Sequence, residues 1–373
     1  MKIATITCHK VYNHGATLQE YALLKHLESL GHDGYTVNYQ PYYFTSPHTY
    51  FQVESPKFRK NILIRAAYML AKFPKKFASR KRRSLFDAFE HQFIKTTSNI
   101  YRNNDDLSKN PPSADCYICG SDQIWNPLFP NGSDKSFYLD WAPAGKKRIS
   151  YAASFATETI PEKLSPFVKE MVSGLDHVSV REKSGKDLLH NLGVNHVTQV
   201  LDPVFLLSKE EWETQFIRKN TNAKPYLLIY DFDSNPLLKR YAETLKKEKG
   251  YQIIALNKNI QYADTIFWNI APNDFLNLIY YAEFVLSNSF HSTAFSIIFQ
   301  KQFLTFNRST GINTRMRDLL NQLAIGDRLI GDYEEENLRK TIDFQNLFEK
   351  LESTIKISKD FLTQALNNER MDK

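Results

Sequence analysis

The sequence predicts an α/β protein built from two consecutive domains, each a parallel sheet covered by helices. Three observations predict it. Short apolar runs bounded by turn residues recur along the chain, and patterns of helical period fall between several of them. Buried-looking runs without clean alternation are the signature of parallel strands covered on both faces. The length, 373 residues, also favours more than one core.

The first series opens with KIATIT (Lys2–Thr7), a polar loop, and a helix over Thr17–Leu30 that Gly31 stops. Further strands are expected at YTVNY (Tyr35–Tyr39), ADCYIC (Ala114–Cys119), RISYAAS (Arg148–Ser154), HVSV (His177–Val180) and VTQVL (Val197–Leu201). Helical patterns lie at Glu162–Leu175 and Lys183–Leu192. After the polar stretch Ser208–Lys224 a second series follows: YLLIYD (Tyr226–Asp231), YQIIAL (Tyr251–Leu256), EFVLSN (Glu283–Asn288) and QFLTF (Gln302–Phe306). Its helices are expected at Pro236–Lys249, Asn273–Ala282 and Ser292–Gln300. The boundaries read as 1–207 and 225–330, with C-terminal helices in 331–373, roughly Phe344 to Asn368, packing near the interface. A ligand cleft is expected between the domains, at the carboxyl ends of the strands.

Composition narrows the function. Apolar residues make up 42%, enough for sizeable cores and too many for a disordered chain. Gly is scarce, at 13 residues, so glycine-rich nucleotide loops do not dominate. The net charge of +7 favours acidic partners. Cys8, Cys116 and Cys119 make no disulfide framework. Cys116 and Cys119 have metal or redox spacing, but a strand sends positions three apart to opposite faces, so both read as buried thiols. No cluster with ligand spacing argues for a metal. The start, MKIATITCHK, lacks the apolar region of a signal peptide, and no segment has the length of a membrane span, so a cytoplasmic protein is expected. The stretch from about 57 to 93 is basic and helical in period, with KKFASRKRR at its centre. It reads equally as a solvated face on a packed insertion or as a peripheral contact with anionic lipid or a lipid pyrophosphate. Nucleic acid is not expected, because aromatic residues are not spaced for stacking.

The chemistry is carried by strand ends. Asn13-His14-Gly15-Ala16 opens the first helix, where Gly15 would let backbone come close to a ligand or simply serve a turn. CGSDQIWNP leaves a strand with Asp122, a candidate proton carrier or a turn carboxylate, and Gln123. Ser154 ends SYAAS, and Arg181 follows HVSV directly, where a guanidinium has the fork to clamp carboxylate or phosphate. Asp202, in DPVFLL, ranks as structural first. In SNSFHSTAF (Ser287–Phe295) His291 stands among small hydroxyl residues where a strand hands over to a helix, whose free N–H groups and dipole favour an anion. Downstream lie Arg308, Arg315 and Arg317. The last two are two apart and cannot share a helical face, so at most one enters the cleft.

In order along the chain, NHGATLQEYAL, CGSDQIWNP, SYAASF, VSVRE, LDPVFLL and SNSFHSTAFSIIFQKQF resemble the polysaccharide pyruvyl transferase family. The resemblance implies two Rossmann-like domains in a GT-B-like arrangement, the second on the donor side. It implies phosphoenolpyruvate as co-substrate, no cofactor, and a sugar hydroxyl pair on a bacterial surface glycan or its lipid-linked precursor as acceptor. Carried over by residue, the arginine of the family's S-V-R motif falls on Arg181 and the histidine before its late helix on His291; the need for one proton donor and one acceptor makes His291 and Asp122 the expected catalytic pair. Arg181, Ser289, Ser292, Ser154 and Arg315 are the donor-binding set, and Asn13, Gly15 and Gln123 meet the acceptor. Many members have arginine two residues before the histidine, where this chain has Ser289, so Arg308 or Arg315 is expected to supply that cation. A GT-B-type glycosyltransferase using a nucleotide sugar is the alternative, and a glycan- or membrane-binding protein without activity is the third reading.

Overall fold

The structure, a computed structural model, describes residues 1–45, 80–219, 224–309 and 311–367. Six strands form the first sheet: β1 (Lys2–Ile6), β2 (Asp33–Thr36), β3 (Cys116–Cys119), β4 (Lys147–Ala153), β5 (His177–Val180) and β6 (Val197–Gln199). They pair in the order β2-β1-β3-β4-β5-β6, all parallel. Six more form the second: β7 (Tyr226–Tyr230), β8 (Gln252–Ala255), β9 (Thr265–Ile266), β10 (Phe284–Ser287), β11 (Phe303–Phe306) and β12 (Leu329–Ile330). Their order is β12-β11-β10-β7-β8-β9, again parallel throughout. The expected α/β class and its two parallel sheets are therefore present.

The helices that place the site are α1 (His14–Ser29), α2 (Arg80–Phe93), α3 (Ser165–Ser173), α4 (Lys183–Asn191), α5 (Lys209–Phe216), α6 (Pro236–Lys249), α7 (Pro272–Tyr280), α8 (Phe290–Ile298), α9 (Thr314–Gln322) and α10 (Phe344–Asn367). Helix α1 starts three residues before the expected Thr17, because the Asn13 side chain caps it, accepting from the N–H groups of Gly15 and Ala16. The thiols behave as the strand period requires. Cys119 packs with Ile6, Cys8 and Trp125, while Cys116 packs with Ile3 and Ile149 in a separate cluster.

One expectation is corrected. The polar stretch after Leu207 is not only a linker: it holds α5, opened by a capping box between Ser208 and Glu211. Trp212 and Phe216, one turn apart, bury against Tyr21 of α1 and Phe295 of α8. Of the basic stretch, residues 57–79 lie outside the described residues. The rest is α2, whose Phe86 and Phe89 are buried. Its Arg82 donates to the carbonyls of Trp268 (2.8 Å) and Tyr12 (3.2 Å), so this end of the stretch is packed between the halves.

The two halves share a core. Leu18, Tyr21 and Ala22 of α1 cluster with Phe275, Leu276, Ala294 and Phe295 of α7 and α8. Helix α10 spans both sides: Leu347 and Leu351 join that cluster, while Leu362, Ala365 and Leu366 pack on Ile3, Leu23 and Leu27. Among the described residues no helix is long and apolar enough to cross a membrane.

Candidate active site

The C-terminal ends of β1, β3, β7, β10 and β11 converge on one cleft. Asn13, Asp122, Gln123, Asn288, Ser289, His291, Arg308 and Arg315 supply its polar walls, and Phe232, Phe290, Ile312 and Met316 its apolar ones. Residues from both halves thus meet where parallel sheets place ligands.

The floor from the second half is the start of α8. Ser289 caps the helix, its Oγ 3.4 Å from the Ser292 N–H, and its own N–H donates to Ser287 Oγ at 3.0 Å. Among the described residues the N–H groups of Phe290 and His291 have no acceptor. A nine-residue helix therefore aims free donors and the positive end of its dipole at the cleft. The Ser292 hydroxyl is buried at this turn, without a partner among the described residues.

The imidazole of His291 is held from the first half. Its Nδ1 and Cγ lie against Gly15, where an added Cβ would sit 2.0 and 2.1 Å away. Gly15 is thus needed for close approach, but of the His291 ring and not of an acceptor, and its backbone φ is ordinary helix. Nε2 is buried without a hydrogen bond and faces Asp202 Oδ2 at 3.6 Å.

Arg181 corrects a second expectation. It does not line the cavity. It is buried behind Phe290, whose ring its guanidinium stacks on at 4.5 Å, and it is ion-paired to Asp202, with Asp122 at 3.7 Å and Glu182 at 4.0 Å. Burial opposes its charge, yet these three carboxylates raise its pKa above the ordinary arginine value. Burial likewise disfavours ionised Asp202, but Arg181, His291 and the Val204 N–H outweigh it and hold this carboxyl well below the usual range.

Two arginines face the cavity, and the more buried is Arg315, on the first turn of α9. Its Nη1 is 3.4 Å from Asp122 Oδ1, and its Nε is buried without a partner. Burial, then the like charge of Arg181, push it down to about 10. A guanidinium so short of counter-charge is relieved by a bound anion. Arg308 stands beside it, stacked on Phe232 at 4.6 Å, with Asp233 3.8 Å away. Arg317 points elsewhere and pairs with Glu158, as the two-residue spacing requires.

Asp122 joins the two arginine environments and has φ of 65°, a left-handed conformation that few residues other than glycine, asparagine and aspartate adopt readily. Asn13 spends its Oδ1 on the α1 cap and Gln123 its Oε1 on Asn126, which leaves their amide N–H groups for a ligand. Ser154 is not at the cleft: its buried hydroxyl donates to Glu182 Oε1 at 2.7 Å, beside the Ala156 N–H at 2.7 Å. Burial raises the pKa of Glu182 despite these donors and Arg181. Sequence reasoning missed the partnership of Asp202 and His291, the stacking of Phe290 and the burial of Glu182. The Leu-Asp-Pro exit from β6 was the one signal available for the first.

No curated protein sequence matches this chain. Among solved structures, UDP-N-acetylglucosamine 2-epimerase from Rickettsia bellii is similar at a TM-score of 0.54 and 11% identity, over 98% of this chain and 96% of that one. A structure of S. aureus MnaA with UDP gives 0.52 and 14%, covering 97% and 95%. A putative UDP-N-acetylglucosamine 2-epimerase from Listeria monocytogenes gives 0.51 and 11%, covering 100% and 92%. At such identities the likeness speaks for the fold alone, a GT-B-type pair of α/β halves. The model of one family, "Polysaccharide pyruvyl transferase", matches residues 13–310, which include every cleft residue from Asn13 to Arg308. The chain belongs to the polysaccharide pyruvyl transferase family.

Proposed function

We propose that this protein transfers the pyruvyl group of phosphoenolpyruvate to two hydroxyls of a sugar in a surface polysaccharide or its lipid-linked precursor, closing a pyruvate ketal. The observation that carries the reading is the meeting, in one cleft, of the free N–H groups of α8 with Arg315, Arg308 and His291. That set suits a small donor bearing both phosphate and carboxylate.

In this reading the helix start and the two cavity-facing arginines hold the donor. His291 gives a proton to the methylene carbon: the C–H bond forms, the N–H bond breaks, and the neighbouring carbon becomes oxocarbenium-like. One sugar hydroxyl adds there and its proton passes to Asp122. Phosphate leaves with the electron pair of its C–O bond, and the second hydroxyl closes the ring, its O–H bond breaking and its proton returning to His291. Positioning and charge stabilisation in a partly dry cleft supply the rate. Arg181 acts behind the cleft, holding Asp122 and Asp202 in place.

The test incubates the full chain with phosphoenolpyruvate and galactose-, mannose- and glucosamine-type acceptors, following phosphate release and product mass. The expected product gains one pyruvate less one water, and folded His291→Ala and Arg315→Met variants lose the activity. Consumption of a sugar nucleotide without phosphoenolpyruvate would favour the glycosyltransferase alternative.

A further inference from the structure

We infer that Asp202 is the positioning residue for His291: it accepts a hydrogen bond from the imidazole Nε2–H and so leaves Nδ1 as the nitrogen that serves a ligand, giving its proton from the doubly protonated ring and receiving one back afterwards. The inference rests on the reading of His291 as the proton carrier, and it concerns which nitrogen works and what fixes it.

Asp202 follows β6, and Pro203 fixes the chain as it leaves the strand. Its side chain is wholly buried, and each oxygen has a defined task. Oδ1 accepts from the Val204 N–H at 3.1 Å. Oδ2 accepts from Arg181 and lies 3.3 Å from the Ser121 hydroxyl. The same Oδ2 is 3.6 Å from His291 Nε2, which has no other acceptor or donor among the described residues.

A plain ion pair with Arg181 accounts for the charge of Asp202 but not for the imidazole edge turned to it. In a dry site a neutral ring protonated on Nδ1 would set its Nε2 lone pair against a carboxylate oxygen, which is repulsive. A ring protonated on Nε2 turns that contact into a charge-assisted hydrogen bond. The bond on one imidazole nitrogen selects the tautomer and frees the other. The ring cannot escape by tilting away, because Gly15 walls it on the Nδ1–Cγ edge. The pair also joins the halves: Asp202 and Gly15 belong to the first, His291 to the second. At 3.6 Å the contact is long, as catalytic hydrogen bonds often are before the substrate binds.

The experiment uses the full chain labelled with ¹⁵N-histidine, with the His291 ring signals assigned by their loss in His291→Gln. Long-range ¹H–¹⁵N spectra distinguish the two neutral tautomers. The wild-type ring is expected as Nε2–H, and in Asp202→Asn, which keeps the Val204 acceptor, it shifts toward Nδ1–H. On phosphoenolpyruvate, kcat falls by roughly 10²-fold or more while KM moves by less than about threefold, and Asp202→Glu restores part of the loss. A wild-type ring protonated on Nδ1 overturns the inference, even where Asp202→Asn fails to fold. So does a folded Asp202→Asn protein with unchanged tautomer. Absence of any turnover in the wild type counts against the pyruvyl-transfer reading, while the tautomer spectra still decide the role of Asp202.

Discussion

Replacing Gly15 by alanine puts a methyl group where the His291 ring already lies. The new Cβ would stand 2.0 Å from Nδ1, 2.1 Å from Cγ and 2.7 Å from Cβ of His291, and ordinary contact begins near 3.4 Å. The difference, 3.4 − 2.0, requires the ring to retreat about 1.4 Å. Overpacking of this kind costs ~1–3 kcal/mol. Alanine returns up to ~1 kcal/mol by its better helix propensity. The net loss of ~0–3 kcal/mol lowers the melting temperature by at most several degrees. Activity is affected far more, since a displacement of about 1 Å at a reacting group costs ~10²-fold. Phosphate release from phosphoenolpyruvate with acceptor, alongside thermal melting, separates the two effects. A folded Gly15→Ala protein with wild-type turnover would refute the assignment of His291 as a placed catalytic group.

Other perturbations test separate parts of the account. Arg315→Met removes a desolvated cation, so phosphoenolpyruvate affinity falls by ~10–100-fold while the melting temperature holds or rises; calorimetry and melting curves read both. Trp212→Ala empties the contact between α5, α1 and α8 and costs ~3–5 kcal/mol, which denaturant titration measures; a loss below ~1 kcal/mol would deny α5 its anchoring role. Glu182 has a raised pKa in the folded state, so it favours folding below its unfolded pKa, and that contribution is lost as pH rises through the folded value. Glu182→Gln should therefore gain melting temperature relative to wild type as pH increases above the ordinary glutamate range, and a pH-independent difference would contradict this.

Much of the fold was legible because burial leaves a pattern. Runs such as KIATIT and YLLIYD have no reading other than buried strands once helices separate them, and the opposite packing of Cys116 and Cys119 follows from the period of a strand. That at most one of Arg315 and Arg317 enters the cleft followed from helical geometry in the same way, although which one did not. What the sequence hides is partnership. Arg181 leaves β5 as expected, but whether a residue at a strand end faces the cleft or the layer behind it depends on the next turn, and here three carboxylates from different segments draw it inward. Gly15 and His291 are 276 positions apart, and only the packing of α1 on α8 sets one against the other. Helix α5 was hidden by its charge, although Ser208 and Glu211 at capping-box spacing, with Trp212 and Phe216 one turn apart, carried the signal.

The most direct test of the central claim is calorimetric titration of phosphoenolpyruvate into the full chain, with pyruvate and inorganic phosphate as controls and Arg315→Met as the comparison. The account predicts binding to the wild type that exceeds either control ligand and is largely lost in the variant. No binding of phosphoenolpyruvate at millimolar concentration, or equal binding in the variant, would contradict it.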